Sequence, residues 1–295
     1  MTSLAAFPES RFPTASERRE EYRDRVGRGR SAMRDRRVVI CGLARNLAHI
    51  LPTTIARVEW LGRMFGEYRV VVYENDSADA TPRLLAQWRK ANRRVRVLSE
   101  RRRDPVNPVA SCLRRAARMA HYRNQCRELI RSEFSDFDHT IVVDMDLDGG
   151  WSYEGVANTF GHEGWDFVGA YGIIERSFLT QTLLLQYDAW AFRSKGSYAR
   201  IRTKIANHIH FSRGDPMLEV YSCFGGLGVY RMEAMLTCAY DGSDCEHVCF
   251  HRAMREAGLN RLYLNPSQIT FYGRKPNNLV RACRRLIGTH PRRAA

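Results

Sequence analysis

Lysine is nearly absent from this chain, although the chain is strongly basic. Of its 47 basic residues only Lys90, Lys195, Lys204 and Lys275 are lysines, and the rest are arginines, with a formal net charge of +15. Such a field attracts phosphate groups in a nucleotide, a nucleic acid or an anionic lipid. No zinc-finger spacing or aromatic ribonucleoprotein motif accompanies the arginines, so nucleic-acid binding stays an alternative that the sequence does not favour.

The chain also lacks long apolar runs, a signal-peptide pattern and any Cys-x-x-Cys pair. Residues 1–10 have neither the basic start nor the apolar stretch of a signal peptide, and no run is long enough for a transmembrane helix. The eight cysteines are scattered, which is typical of reduced thiols. We therefore expect a cytoplasmic protein, whose arginine-rich ends would suit peripheral contact with an anionic membrane.

Strand-like and helix-like segments alternate through the first half of the chain, and the alternation weakens beyond residue 150. This order predicts an α/β fold with a mostly parallel sheet flanked by helices and a mixed C-terminal half. The long helix should face inward through Leu113, Ala117, Ala120, Cys126 and Ile130. We predict strands at 37–41, 68–73, 95–99, 140–144, 166–171 and 262–266, and helices at 53–65, 109–133 and 243–258.

Three aspartates, Asp144, Asp146 and Asp148, begin where the fourth predicted strand ends. Ligands of open α/β sheets bind at that carboxyl edge. Alternate side chains of extended backbone point the same way, so these carboxylates would repel one another unless a cation lay among them. Mg²⁺ or Mn²⁺ suits such oxygens, and an ion held by one or two carboxylates keeps coordination sites for phosphates. The stretch predicts a metal-bridged phosphate or diphosphate site.

Three alternatives remain for the same stretch. An EF-hand loop would need a glutamate at the twelfth position, where Gly155 stands. A phosphatase of the haloacid-dehalogenase type also places Asp-x-Asp after an apolar strand, but there the motif usually opens the domain and needs a downstream lysine. The third alternative is a solvated acidic turn.

Polar residues also follow the first two strands at this edge. Arg45 lies in the turn after the first strand, and Glu74, Asn75 and Asp76 follow the second. An acidic residue here can accept hydrogen bonds from a ribose or base. Alternatively, Asp76 and its neighbours only turn the chain and cap the next helix.

The later part of the chain offers a glycine-rich segment and a helix start. Gly225 and Gly226 would let backbone approach a ligand closely, or would mark a bulged strand. Ser243 and Glu246 have the Ser-x-x-Glu form of a capping box, so Glu246 could be engaged by its own helix end. A helix start in a cleft can also deliver a carboxylate as a base, with Asp244 as a second candidate.

Several motifs occur in a defined order: Val72–Thr81, Tyr122–Asn124, Asp144–Asp146, Tyr187–Trp190, Ser222–Gly226, Cys245–Glu246 and Asn265–Pro266. In this order the chain resembles GT-A (Rossmann-like) glycosyltransferases and, more narrowly, the fungal capsule-associated α-1,3-mannosyltransferases of glycosyltransferase family 69. The resemblance implies a nucleotide-sugar donor, with GDP-mannose favoured over a UDP-sugar, a divalent cation, and a glycan or lipid-linked acceptor. The fungal enzymes are membrane-anchored, whereas no anchor is evident in this sequence.

The resemblance implies a role for individual residues. It assigns Glu74 and Asp76 to the nucleoside, Arg123 to the donor phosphates, and Asp144 and Asp146 to the metal, with Asp148 as a third candidate ligand. Gly225 and Gly226 would line the sugar pocket, and Glu246 would be the base or a sugar contact. Further donor-binding candidates are Arg45, Asn75, Asp188 and Trp190.

We expect one GT-A domain over 37–273, with a nucleotide-binding half at 37–150 and an acceptor and sugar half at 151–273. The flanking segments 1–36 and 274–295 are predicted to be basic tails because both are crowded with charge, and an exposed helix is the alternative for the charged stretch of the first. A base is required only if transfer inverts the sugar configuration, and the sequence leaves retention and inversion open.

Overall fold

The computed structural model describes residues 6–108, 111–178 and 181–275, and one eleven-stranded sheet runs through them. The strands are β1 (Arg37–Ala44), β2 (Glu67–Asn75), β3 (Val95–Glu100), β4 (His139–Val143), β5 (Gly150–Trp151), β6 (Phe167–Phe178), β7 (Gln181–Gln186), β8 (Arg193–Ser194), β9 (Leu218–Ser222), β10 (Leu227–Arg231) and β11 (Leu262–Lys275). The α-helices are α1 (Arg19–Arg34), α2 (Leu51–Gly62), α3 (Thr81–Ala91), α4 (Leu113–Glu133), α5 (Tyr153–Phe160), α6 (Thr203–Ala206), α7 (Met232–Thr237) and α8 (Glu246–Glu256).

The first four strands form a parallel half in the order β3-β2-β1-β4. Val39, Val71 and Ile141, at the centres of three of these strands, are inaccessible to solvent. Parallel strands are covered on both faces, which is why they need apolar residues without polar alternation. Because the strands run the same way, the polar segments that follow β1, β2 and β4 meet at one edge of the sheet.

The second half of the sheet is mixed. β10 lies antiparallel between β4 and β6, whereas β11 lies parallel to β6 and antiparallel to β9. The predicted fold class, a mostly parallel sheet flanked by helices with a mixed C-terminal half, is confirmed. The prediction that the last strand spans only 262–266 is wrong, because β11 continues to Lys275. Pro266 lies at a register shift between Asn265 and Ile269, where a residue without an N–H is tolerated.

The prediction of a basic tail over 1–36 is wrong for Arg19–Arg34, which form α1. This helix packs against α5 and buries Tyr22, Val26, Gly29 and Met33. These four residues recur at helical spacing, but the arginines and glutamates between them hide the apolar stripe when composition alone is considered. Of the predicted C-terminal tail, Arg274 and Lys275 belong to β11, and 276–295 lie outside the described residues.

The predicted inward face of α4 is partly wrong. Leu113 and Ala117 are exposed, whereas Ala116, Ala120, Arg123, Cys126 and Ile130 are buried. A prediction from the helical spacing of apolar residues places Leu113 on the inner face. It fails here because the inner face includes a buried arginine, Arg123. Val109 and Ala110, in the predicted first turn, lie outside the described residues.

Within the described ranges, none of the helices combines the length and the apolar character that crossing a bilayer requires. Seven of the cysteines lie in these ranges, and each is a free thiol there.

Two glycines of α1 allow a matched test of its packing. A Cβ atom on Gly29 would lie 1.7 Å from the carbonyl oxygen of Ala157 in α5, whereas one on Gly27 would meet nothing within 4 Å. We expect Gly29→Ala to lower the free energy of unfolding by about 2 kcal/mol or more, since the backbones must separate. Gly27→Ala should raise it by about 0.5 kcal/mol. Urea unfolding measures both, and equal effects of the two variants would contradict the packing of α1 against α5.

Candidate functional site

The acidic segment follows β4 as a turn at Met145 and Asp146, and not as the extended backbone expected from the sequence, and its side chains alternate in burial. Met145 and Leu147 are buried in the core, whereas Asp144 and Asp146 are partly accessible. The two carboxylates therefore lie on the accessible side of the segment, opposite the two core residues. Asp144 and Asp146 line a cleft of about 320 Å³ at the carboxyl edge of the sheet. Asp148 is exposed and is not one of the residues described as lining this cleft.

Hydrogen bonds from α2 and from the β9–β10 turn hold the backbone of this segment. Thr54 Oγ1 donates to the carbonyl of Met145 at 2.9 Å, and Arg57 Nη1 donates to the carbonyl of Leu147 at 2.9 Å. On the other side the N–H of Asp144 donates to the carbonyl of Gly226 at 2.9 Å. Buried backbone polar groups need such partners, and here they also prevent the two carboxylates from moving apart.

Two stacked tyrosines bind the two carboxylates. Tyr187 donates to Asp144 Oδ2 at 3.1 Å, and Tyr272 donates to Asp146 Oδ2 at 2.9 Å. Their rings stack with centroids 4.6 Å apart. Burial raises the pKa of Asp144 to about 7, Arg123 opposes this shift, and the neighbouring Asp146 adds to it. Each aspartate therefore has one oxygen fixed by a phenol.

Arg123 is a buried cation between two carboxylates from different elements. Its Nη2 lies 3.5 Å from Asp144 Oδ1, and its Nε donates to Glu246 Oε1 at 3.2 Å. Its guanidinium carbon lies 5.2 Å from the centre of the Phe224 ring. Burial alone would lower the pKa of Arg123, but Glu246 and then Asp144 raise it above the usual value. Arg123 thus joins α4, the end of β4 and the start of α8.

The predicted capping box at Glu246 is wrong. α8 begins at Glu246, three residues after the predicted start, and Cys245 at the N-cap makes no side-chain capping bond. Ser243 Oγ donates to Asp241 at 2.6 Å instead. The carboxylate of Glu246 is therefore directed to Arg123 and not to its own helix end.

Asp188 lies near the same carboxylates, held by the glycine turn. It accepts a hydrogen bond from the N–H of Gly225, and burial, Asp144 and Glu246 raise its pKa to about 8. The two turn glycines have φ of 64° and 88°, and a Cβ on Gly225 would lie 2.1 Å from the carbonyl oxygen of Ala170. Only glycine is compatible with this close approach.

The residues predicted for the nucleoside separate into two groups. Asn75 and Arg45 line the cleft. Glu74 is buried and accepts hydrogen bonds from the N–H of Ser77, at 3.0 Å, and from the Ser99 hydroxyl. Glu74 is therefore engaged by the protein itself.

Asp76 organises the loop after β3. It accepts from the backbone N–H groups of Arg102, Arg103 and Asp104 at 2.8–3.0 Å. Although burial would raise the pKa of Asp76, these bonds and one from Asn75 lower it to about 2. Asp76 shapes the wall of the cleft through this loop.

Two other candidates lie at the margin of the site. Asp244 pairs with the buried Arg193, at 3.0 Å, and accepts from the N–H of Cys245 at 2.7 Å. Trp190 lies under Arg115, whose guanidinium carbon is 5.8 Å from the ring centre, and Arg115 lines the cleft. Asp244 is thus engaged in an ion pair beside α8.

Sequence reasoning missed three side chains of the candidate site: Tyr187 and Arg115, which line the cleft, and Tyr272, which donates to Asp146. Tyr187 stands next to Asp188 in a motif already singled out, so the sequence carried a signal for it. Tyr272 comes from β11 and Arg115 from the first turn of α4, and neither lies in a motif. The phosphatase alternative would need a lysine in the site, and none of the residues described as lining the cleft is a lysine.

The donor set suits a hard divalent cation. Asp144 and Asp146 both offer carboxylate oxygens to the cleft, and the Glu246 carboxylate lies behind them on Arg123. Among the described residues no three His, Cys, Asp or Glu side chains are arranged to enclose an ion. Two carboxylates leave most of an octahedral shell for water and phosphate oxygens, as is usual for Mg²⁺.

Arg123 supports a stability prediction. Arg123→Met should lower the free energy of unfolding by about 3–5 kcal/mol, because the buried Glu246 and the partly accessible Asp144 are left without a counter-charge. Arg114→Met, at an exposed position of the same helix, should change it by less than about 0.5 kcal/mol. Adding Glu246→Gln to Arg123→Met should restore part of the loss in urea unfolding. Strict additivity of the two changes would contradict the ion pair.

No protein-family model matches the chain, and no curated protein matches it in sequence. Among solved structures it is similar to the mannosyltransferase PcManGT from Pyrobaculum calidifontis in complex with GDP-Man and Mn²⁺, at 11% identity and a TM-score of 0.47, over 87% of this chain and 65% of that chain. It is similar to glucosyl-3-phosphoglycerate synthase from Mycobacterium tuberculosis in complex with UDP, at 14% identity and a TM-score of 0.47, over 86% of this chain and 76% of that chain. It is also similar to S. aureus TarS 1-349, at 12% identity and a TM-score of 0.45, over 80% of this chain and 60% of that chain. The chain thus spans less than two thirds of the length of PcManGT and of TarS 1-349.

Proposed function

We propose that this protein is a divalent-metal-dependent glycosyltransferase that uses a nucleoside-diphosphate sugar. One observation carries the proposal: Asp144 and Asp146 lie side by side in a cleft at the carboxyl edge of a parallel sheet, with Arg123 and Glu246 directly behind them. Parallel sheets bind nucleotides at this edge, and paired carboxylates hold the cation that accompanies a diphosphate.

The cleft provides a place for each part of the donor. Asn75 and Arg45 line the end next to β1 and β2, where a nucleoside would lie, and the loop held by Asp76 closes that end. Arg115 adds a guanidinium to the wall, which suits a diphosphate. The turn at Gly225 and Gly226 would lie against the sugar.

Different residues of the site would stabilise the leaving group and activate the acceptor. A cation held by Asp144 and Asp146 would neutralise the charge that develops on the departing nucleoside diphosphate. The acceptor oxygen forms a bond to the anomeric carbon while the bond from that carbon to the diphosphate oxygen breaks. If configuration inverts, Glu246 takes the hydroxyl proton, and Arg123 holds this carboxylate in place.

The finer assignment rests on the ordered motifs shared with glycosyltransferase family 69. We propose GDP-mannose as the donor and a glycan or lipid-linked acceptor. The arginine-rich ends, of which 276–295 lie outside the described residues, would draw the enzyme to an anionic membrane that carries such an acceptor.

Metal-dependent nucleotide binding tests the aspartates. With Mn²⁺, GDP should raise the melting temperature more than UDP, CDP or dTDP does. The corresponding gain in the free energy of unfolding should approach about 2.7 kcal/mol at a GDP concentration of a hundred times Kd. Asp146→Ala should abolish this gain, because the diphosphate loses its counter-charge, whereas Asp148→Asn at the exposed third aspartate should retain it. If no nucleoside diphosphate shifts the melting temperature with or without Mn²⁺, the proposal is wrong.

Sugar transfer tests Glu246. Glu246→Gln keeps the shape of the side chain and can still accept a hydrogen bond from Arg123, so the Mn²⁺-dependent effect of GDP should persist. Transfer from GDP-mannose should fall by about 10²-fold or more if Glu246 is the base. Asp244→Asn, at the residue paired with Arg193, should leave transfer within a few-fold of the original rate. Unchanged transfer by Glu246→Gln would remove the carboxylate from the mechanism.

A further inference from the structure

Four buried polar side chains form a continuous series of contacts that ends behind Glu246. Ser222 Oγ lies 2.8 Å from His251 Nδ1, and His251 Nε2 lies 3.1 Å from Tyr230 Oη. Tyr230 Oη lies 3.5 Å from His247 Nδ1, and His247 Nε2 lies 3.8 Å from Glu246 Oε1. All four are at most 2% exposed, so solvent does not supply their partners.

The ring of His247 is fixed by aromatic neighbours. It stacks on Phe224 with centroids 3.7 Å apart and an interplanar angle of 17°, and the Tyr240 ring meets it edge-on at 5.9 Å. Its Nε2 is buried and makes no hydrogen bond with any described residue. Buried polar atoms rarely lack a partner, and the nearest charged oxygen to this nitrogen is Glu246 Oε1.

Both histidines are neutral at physiological pH. Burial, with Arg123 and His251 adding to it, lowers the pKa of His247 well below its usual value. Burial, with a smaller effect of Arg255, lowers the pKa of His251 to about 3. A neutral imidazole carries one N–H, so one ring nitrogen donates and the other accepts.

The series can run in only two directions, because every group passes on one hydrogen. In one direction Ser222 donates to His251 Nδ1, His251 Nε2–H donates to Tyr230, and Tyr230 donates to His247 Nδ1. His247 then carries its hydrogen on Nε2, facing the Glu246 carboxylate. In the other direction the lone pair of Nε2 faces that carboxylate, which is repulsive and leaves Nε2 without a partner, whereas Oε1 still accepts from Arg123. The charge of Glu246 therefore selects the first direction.

We propose that His247 is a positioning residue: its Nε2–H, oriented by Ser222, His251 and Tyr230, holds Glu246 Oε1 together with Arg123. The inference rests on the proposed function, since it assigns Oε2 of Glu246 as the oxygen that takes the proton of the acceptor hydroxyl. No proton needs to move along the series itself.

The tautomers can be observed directly, whether or not the protein transfers sugar. In the full chain labelled with ¹⁵N-histidine, His247 and His251 should both be protonated at Nε2 and unprotonated at Nδ1, with signals assigned from His247→Gln and His251→Gln. Protonation of both rings at Nδ1 would establish the opposite direction and overturn the inference.

Kinetics separate positioning from a purely structural role. Tyr230→Phe interrupts the series and no longer fixes the Nε2–H of His247 toward Glu246, so kcat should fall about tenfold, while KM for the donor and the Mn²⁺-dependent effect of GDP stay unchanged. His247→Phe should act similarly, and His247→Gln should recover part of the rate because its amide can donate. Tyr263→Phe, outside the series, is the control.

The outcomes distinguish the two proposals. If the wild-type chain transfers sugar and Tyr230→Phe leaves kcat unchanged, the positioning role of His247 is overturned and the proposed function stands. Absence of transfer by the wild-type chain would overturn the proposed function and with it the positioning of a base, whereas Nε2 protonation of His247 would still show that its N–H faces the Glu246 carboxylate.

Discussion

The site depends on one buried cation. Arg123 is nearly inaccessible to solvent and lies between Asp144 and Glu246, which come from β4 and α8. Isolated, either carboxylate would be expensive to bury, and so would the guanidinium. Together they fix three elements that are distant in sequence, and they bring an acidic strand end and a glutamate at a helix start into one cluster. Removing Arg123 leaves both carboxylates without their counter-charge, whereas removing one carboxylate leaves Arg123 paired with the other.

The surrounding backbone is built to keep negative charge concentrated. Thr54 and Arg57 from α2 hold the carbonyls on one side of the acidic segment, and the Gly226 carbonyl holds it on the other. The carboxylates cannot relax away from one another, so their repulsion is relieved only by protonation or by a cation. Concentrated negative charge of this kind lowers the free energy of unfolding of the protein without a ligand and raises its affinity for a cation. Both glycines of the β9–β10 turn have positive φ, which glycine adopts without strain, so this turn can approach the segment closely.

Local pattern was sufficient for the strands of the first half. Val70 to Val72 and Ile141 to Val143 are buried because parallel strands need apolar residues on both faces, and this requirement is visible in the residues themselves. The carboxyl-edge position of Asp144 and Asp146 followed from the same reasoning. Where charge lies within an otherwise apolar face, local pattern failed: α1 was taken for a tail, and the inner face of α4 was placed on Leu113 and Ala117 instead of Ala116 and Arg123.

The sequence by itself determined the alternation of strands and helices in the first half and the position of Asp144 and Asp146 at the carboxyl edge of the sheet, because each depends on a pattern within a few residues. Only the tertiary structure decided which charged groups meet. It brought Arg123 to Glu246, paired Asp244 with Arg193, gave Asp76 to the backbone of a loop, and placed Tyr187 and Tyr272 on the two aspartates. These contacts join residues far apart in the chain, and their partners are selected by burial, where an uncompensated charge is costly, and not by any pattern that neighbouring residues share.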